Sequence, residues 1–417
     1  MPIGESVAQG TCMAGRSVGN RVAIGTVAGA LGLAVAGTVA VAALASHVAR
    51  VVITPPRKRA EDILVLDATA STITLSANAD TMARGRYGLW FSGDTGHARV
   101  GEILSVDDTG VTRELLAVDF GNLARARRGR WSGWFFQNPR ELGFPVEDVD
   151  IETAVGPAPA WLVPADRASD HWVIQVHGRG VTRAETIRAV PVFRSGGYNS
   201  LLISYRNDGV APDSADRRYA LGGTEWRDLE AAIEFSVSRG AKHIVLMGWS
   251  MGGATSLQAS ILSPHRELLR GLVLESAVVD WRSVLDFQAL QQKVPKPIRL
   301  AALQLLGSTW GRPFTGQSQP IDLDSLNIVR RASELTLPTL LLHSADDGYV
   351  PVDAARELAA LRPDLVRYEE FSGARHAKLW NHDPDRFDRV IAEWLGGLRR
   401  SSARTARSPR RGAAAQG

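Results

Sequence analysis

Cysteine is all but missing from this sequence. Among 417 residues only Cys12 carries a thiol, which excludes an intramolecular disulfide and any cysteine-based metal site. It is not a lipid-attachment cysteine either, because the hydrophobic run comes after it instead of before it. Excess charge is scarce over most of the chain as well. The formal net charge is +4, but Arg399, Arg400, Arg404, Arg407, Arg410 and Arg411 stand together at the end with no acid among them. The remainder is close to neutral, so no nucleic-acid surface is expected. With 22% charged and 45% hydrophobic residues, the composition is that of a globular chain able to form one large or two modest domains. No internal repeat is visible.

Lys, Arg, Asp and Glu are absent from Val22 to Ala49, where His47 is the only ionisable side chain. At about 1.5 Å per residue the stretch is long enough to cross about 30 Å of hydrocarbon. After a flank at 1–21, segment 22–49 therefore reads as a single-pass membrane anchor. Two alternatives stand beside it: a signal segment cut near Ala43-Leu44-Ala45, which would make the protein secreted, and a buried soluble helix. The side of the membrane is in conflict. Arg50, Arg57, Lys58 and Arg59 favour a cytoplasmic position for the downstream chain, whereas a signal-type N-terminus would export it.

A proline-containing linker, 50–60, leads into a small β-rich module at 61–148. Its strands are read at Ile63–Leu66, Thr72–Leu75, Tyr87–Phe91, Val100–Leu104 and Leu115–Val118, with turn signals between them. Such spacing suggests a sandwich or barrel. Trp131, Trp134, Phe135 and Phe136 are expected to seat this module on its neighbour rather than to meet a ligand.

From 149 to 398 the texture alternates between short aliphatic strands and helical stripes, which predicts a mostly parallel α/β sheet with helices on both faces. Strands are read at Asp150–Thr153, Ala160–Val163, Trp172–Val176, Leu201–Ser204, His243–Met247, Gly271–Leu274, Thr339–Leu342 and Arg367–Phe371. Trp226–Ser238 is the clearest helix, with Thr224 as its candidate cap. The excursion at 278–337 reads equally as a lid or as helix–sheet packing, with Leu300, Leu303, Leu305 and Leu306 as candidates for an apolar pocket. The arginine-rich tail, 399–417, is expected to be disordered.

The strand His243–Met247 runs directly into Gly248-Trp249-Ser250-Met251-Gly252, and Ala254–Leu262 reads as a helix. Strand, G-x-S-x-G, helix is the context of a nucleophile elbow. The turn strains the serine backbone, and its neighbours at ±2 must be small. A serine hydroxyl needs a base, normally a histidine held by a carboxylate. The acid candidates come after the strand Thr339–Leu342. Asp347 heads Asp-x-x-Val-Pro351 and is favoured over Asp346, which suits a turn. The base candidate is His376, in the loop after the last strand, where Gly373 permits a tight turn. His382 competes, but it sits in a helix-initiating run, and His177, His243 and His343 read as structural. An oxyanion hole requires two backbone N–H donors. Met251 would give one and Arg179, in His177-Gly178-Arg179-Gly180, the other. The Arg179 guanidinium itself is expected in solvent, or else against an acidic substrate group.

These four ordered motifs resemble the α/β-hydrolase fold over about 149–398, in its esterase/lipase-like form. Gly-Trp-Ser-x-Gly-Gly also resembles the elbow of the prolyl-oligopeptidase family, but that family carries a β-propeller, and the region before Val149 is too short for one. The resemblance implies a serine hydrolase that cleaves carboxylic esters through an acyl-enzyme at Ser250, acting on a small-molecule or lipid-like ester without metal or organic cofactor. A peptidase or thioesterase on the same residues is the catalytic alternative. A noncatalytic membrane-bound binding protein on the same scaffold is the alternative of another class.

Overall fold

A computed structural model describes residues 39–56 and 59–407, with side chains described as far as 400. Cys12, the flank 1–21, the first part of the apolar segment (22–38) and the last ten tail residues lie outside the described residues.

The first helix, α1, spans 39–53. It differs from an apolar helix ending at 49 in running past Arg50, and Ala45, Ala49 and Ile53, spaced four apart, are buried in the main core. Its final carbonyls are all taken up. Thr54 N–H bonds Arg50 O, and Tyr219 N–H bonds Ile53 O at 2.8 Å. The Arg179 guanidinium donates to Val52 O at 2.9 Å, Val51 O at 2.7 Å and Thr54 O at 3.0 Å. A cation at this end also meets the negative pole of the helix. Neither expectation for the Arg179 side chain, solvent or substrate, describes this contact. Among the described residues no helix is long and apolar enough to cross a membrane.

Six strands come next: β1 (Ile63–Ala68), β2 (Thr72–Leu75), β3 (Tyr87–Phe91), β4 (Gly96–Val106), β5 (Val111–Phe120) and β6 (Arg128–Ser132). They close into a barrel in the order β1-β2-β5-β4-β3-β6. Along β5, Val111, Arg113 and Leu115 point inward while Thr112 and Glu114 do not. Arg113 is fully buried there, and its guanidinium donates to the carbonyls of Gly101, Thr81, Ala83 and Gly85. Its charge is thus spread over four backbone dipoles. Of the aromatic cluster, Trp131 lies in the barrel core and Trp134 packs edge-on to Trp90. Phe135 and Phe136 pack against Trp380 at the far end of the chain.

An eight-stranded sheet makes up the rest: β7 (Glu147–Thr153), β8 (Gly156–Val163), β9 (His171–Val176), β10 (Asn199–Ile203), β11 (His243–Trp249), β12 (Leu269–Glu275), β13 (Thr339–Ser344) and β14 (Val366–Phe371). The order is β14-β13-β12-β11-β9-β10-β8-β7, and β8 alone runs antiparallel to both of its neighbours. Period-two alternation divides the core. On β11, Ile244 and Leu246 join one cluster, whereas Val245, Met247 and Trp249 join the other.

The helices after α1 are α2 (Val190–Ser195), α3 (Trp226–Ser238), α4 (Met251–Leu262), α5 (Trp281–Gln291), α6 (Lys296–Gly307), α7 (Arg312–Thr315), α8 (Asp353–Leu361), α9 (Leu379–His382) and α10 (Pro384–Arg407). The residue before α3 is Glu225, one later than Thr224, and it makes no side-chain capping bond to the helix. Its buried carboxylate accepts from the amides of Ala220, Gly222 and Thr224. The tail departs from expectation too, since α10 continues to Arg407. Phe387, Val390, Ile391, Trp394, Leu395 and Leu398 form a buried helical stripe, and Arg399 lies over the Tyr198 ring.

Candidate active site

Ser250 sits between β11 and α4 with φ 51° and ψ −115°, a strained conformation that its neighbours enforce. A Cβ on Gly248 would stand 2.4 Å from Gly252 O, and one on Gly252 would stand 2.1 Å from Val176 O. Both positions therefore admit only glycine. The Ser250 hydroxyl lies 3.0 Å from His376 Nε2, and His376 Nδ1 lies 2.8 Å from Asp347 Oδ2. Each of the three sits at the C-terminal end of a strand of the parallel sheet or in the loop after it, which brings residues 126 positions apart together.

The other oxygen of Asp347 accepts from the amides of Tyr349 and Val350, both at 2.9 Å. Burial opposes its charge, but the facing His376 and His343 rings outweigh that and hold its carboxyl well below the usual carboxylate range. Asp346 takes no part in this chain. Its carboxylate accepts from Gly373 N at 2.6 Å and so ties the acid loop to the histidine loop. Gly373 has φ 76°, so the turn before His376 needs a glycine. His382 packs against the barrel, where its Nε2 accepts from Arg84 Nε at 3.1 Å. His343 Nε2 donates to Val350 O at 3.0 Å. His243 accepts from Arg270 at the opposite end of the sheet.

Met251 is the first residue of α4, so its N–H has no partner within the helix. The other loop passes alongside: a Cβ on Gly178 would lie 3.4 Å from Ser250 Cβ. That loop is held from beneath. Gly178 N donates to Glu185, and Tyr205 OH donates to the carbonyls of His177 and Gly178. The His177 ring stacks on Tyr205 and lies 3.2 Å from Asp208 Oδ2. The arrangement brings a polarised hydroxyl, a base with its orienting carboxylate and a helix N-terminus to one point. Groups of these kinds, so placed, are those that acyl transfer requires.

Residues 173–390, just over half of the chain, match the family described as the alpha/beta hydrolase family. The chain belongs to this α/β-hydrolase family. Residues 63–132, the span of the barrel, match a separate family described as a domain of unknown function (DUF8805). Among curated relatives, a pimeloyl-[acyl-carrier protein] methyl ester esterase of Photobacterium profundum is 26% identical over 183 residues, 36% of this chain and 69% of its own. The corresponding esterase of Chromobacterium violaceum is 29% identical over 178 residues, with the same coverage of 36% and 69%. A solved esterase structure from Pyrococcus furiosus is 19% identical with a TM-score of 0.49, covering 63% of this chain and 96% of that one.

Behind the elbow this hydrolase buries charges that sequence reasoning missed. Glu275, fully buried at the end of β12, accepts from Trp249 Nε1 and from Leu379 N. Burial above all raises its pKa. One Arg188 nitrogen lies 3.9 Å from Glu275 and 4.0 Å from Glu185, while another donates to Asn381 Oδ1 at 2.8 Å. This group joins the elbow, the Gly178 loop and the segment after His376. A carboxylate closing a run of buried aliphatics, Leu272-Val273-Leu274-Glu275, was the available signal. Nothing local marks Glu185 or Arg188.

Proposed function

We propose that this α/β hydrolase is a serine carboxylesterase using Ser250, His376 and Asp347. The observation that carries the reading is the hydrogen-bond chain from Ser250 Oγ through His376 to Asp347, at 3.0 and 2.8 Å. In this reading His376 Nε2 takes the hydroxyl proton as Ser250 Oγ attacks the ester carbonyl carbon. The oxyanion is received by the amides of Met251 and Arg179. Collapse of the tetrahedral intermediate expels the alkoxy group, which leaves as the alcohol with the proton from His376. Water, deprotonated by His376, then attacks the acyl-enzyme and releases the carboxylic acid and free Ser250. Asp347 keeps the imidazole in the tautomer that presents a lone pair to Ser250. The choice of ester over amide is supported by the names of the relatives, methyl ester esterases that share about a quarter of their aligned residues with this chain.

The test is labelling by a fluorophosphonate probe together with turnover of p-nitrophenyl and methyl esters. Ser250→Ala is expected to abolish labelling and, with His376→Ala, to lower kcat by at least about 10⁴. Folded protein that is not labelled at Ser250 would refute the assignment.

A further inference from the structure

The loop His177-Gly178-Arg179-Gly180 offers three consecutive amides after its histidine, and two of them are already in use. Gly178 N donates to Glu185 Oε2 at 3.1 Å, and Gly180 N donates to the Tyr219 hydroxyl at 3.3 Å. The amide between them, Arg179 N–H, has no hydrogen-bond partner among the described residues. That amide is the proposed oxyanion donor, and its direction depends on what holds its two neighbours and its own side chain. Glu185 lies within the matched hydrolase region, but the other two restraints lead outside it, to α1. Tyr219, only 1% exposed, takes the Gly180 amide on its hydroxyl and gives its own N–H to Ile53 O at 2.8 Å. The Arg179 guanidinium lies 5.6 Å from the centre of the Tyr219 ring and donates to the carbonyls of Val51, Val52 and Thr54. Three acceptors around one planar guanidinium fix it more tightly than a single ion pair would. Pro56, just beyond the helix, closes the same side: a Cβ on Gly180 would stand 2.8 Å from Pro56 Cγ.

We propose that the last turn of α1 is a strap that sets the oxyanion hole, with Tyr219 and the Arg179 side chain as its positioning residues. The inference rests on the esterase reading and adds to it a dependence of catalysis on a helix from outside residues 173–390. An oxyanion donor is effective when it is aimed, before reaction, at the place the charge will occupy. The carbonyl oxygen of the bound ester carries less charge than the oxyanion, so a displaced amide weakens the transition state more than the substrate complex.

The test measures kcat and KM on p-nitrophenyl butanoate, and the ratio of rates on a carboxylic ester and its thionoester, whose sulfur accepts hydrogen bonds poorly. Tyr219→Phe removes only the hydroxyl that holds Gly180, and Arg179→Met removes the grip on α1. Each is expected to lower kcat roughly 10- to 100-fold, less than the loss of an oxyanion donor itself. KM should stay within about twofold, and the ester-to-thionoester ratio should fall with kcat. Arg179→Lys, still a cation at the helix end, should recover part of the loss. Val51→Pro breaks the last turn of α1 from an exposed position and should reproduce the Arg179→Met loss. The double variant should be no slower than Arg179→Met alone, because both remove the same interaction. The pH profile should not move in any of them, since His376 and Asp347 are untouched. Wild-type kcat in Tyr219→Phe, Arg179→Met and Val51→Pro, with Ser250 still labelled by the fluorophosphonate, would overturn the inference and leave the esterase reading standing. So would a fall in kcat with the ester-to-thionoester ratio unchanged. Loss of labelling in the wild type would remove both.

Discussion

Replacing Arg179 by methionine keeps most of its apolar stem and removes the group that closes the C-terminus of α1. Three guanidinium hydrogen bonds are lost, at 2.9, 2.7 and 3.0 Å, to the carbonyls of Val52, Val51 and Thr54. A bond to a charged donor contributes about 1.5–3 kcal/mol net. These carbonyls lie near the surface and regain water, so about 2–4 kcal/mol is the expected loss for the set. Tyr219 N–H still holds Ile53 O, and Ser46 and Arg50 still donate to Phe314 O. The cost should therefore appear as local opening of α1 rather than global unfolding. Each 1.4 kcal/mol is tenfold, so a loss of about 3 kcal/mol raises the open population about a hundredfold. Amide hydrogen exchange reads this directly: protection of residues 45–53 should fall by about two orders of magnitude while β9 to β13 keep theirs. Protection of α1 within about threefold of wild type would refute the reasoning. A uniform loss across the sheet would also do so, because it would make Arg179 a support of the whole fold.

Asp388 has its carboxyl pushed up to about 6, chiefly by burial, with Arg86 opposing and Asp385 adding to the effect. A raised acid binds its proton more tightly folded than unfolded, so stability falls as pH rises from about 4 to about 6. Asp388→Asn should raise the stability read from urea unfolding at pH 7, by up to about 2 kcal/mol, and change it little at pH 4. Arg188→Met leaves the buried Glu185 and Glu275 facing each other without a cation. It should cost about 3–5 kcal/mol in urea unfolding at pH 7, and Glu275→Gln in the same chain should recover part of that. Gly252→Ala would drive a methyl group into Val176 O, 2.1 Å from the Cβ position. The variant should fail to accumulate as soluble protein, whereas Ser250→Ala, in the same turn, should accumulate normally.

The legible parts of the chain are those whose causes are local. The elbow announces itself because Gly248 and Gly252 are demanded by contacts within the turn and with the adjoining strand. The acid and histidine loops are readable for a related reason: each comes after an aliphatic strand and carries its own turn residues. The barrel is only half legible. Five of its strands have β-branched or aromatic runs, but the sixth, Arg128-Gly129-Arg130-Trp131-Ser132, has neither run nor alternation and forms because β1 and β3 leave edges on both sides of it. The apolar N-terminal segment is ambiguous for the opposite reason. Its composition fits hydrocarbon, but Ala45, Ala49 and Ile53 are equally suited to a protein core, and the donors that fix the helix, Arg179 and Tyr219, come from more than a hundred residues away. The end of α10 is hidden in the same way, because six arginines outweigh in composition the Leu398 and Arg399 contacts that extend the helix.

Asn381, five residues beyond His376, is held by the barrel. Its side-chain amide donates to Arg86 O at 2.8 Å and to Gly133 O at 3.1 Å, and its backbone carbonyl accepts from Arg86 N. The residues joined by the first bond are 295 positions apart. A ribosome makes the barrel early and Asn381 much later, and domains tend to fold as they emerge. The barrel residues therefore leave the ribosome, with the surface that meets Asn381 still uncovered, while the whole hydrolase sheet is being made. Ser250 and Asp347 also precede the segment that completes them. On the proposed reading, a chain stalled before residue 376 lacks both the base for Ser250 and the barrel's anchoring partner, so the order of synthesis itself would hold Ser250 without its base until both have emerged.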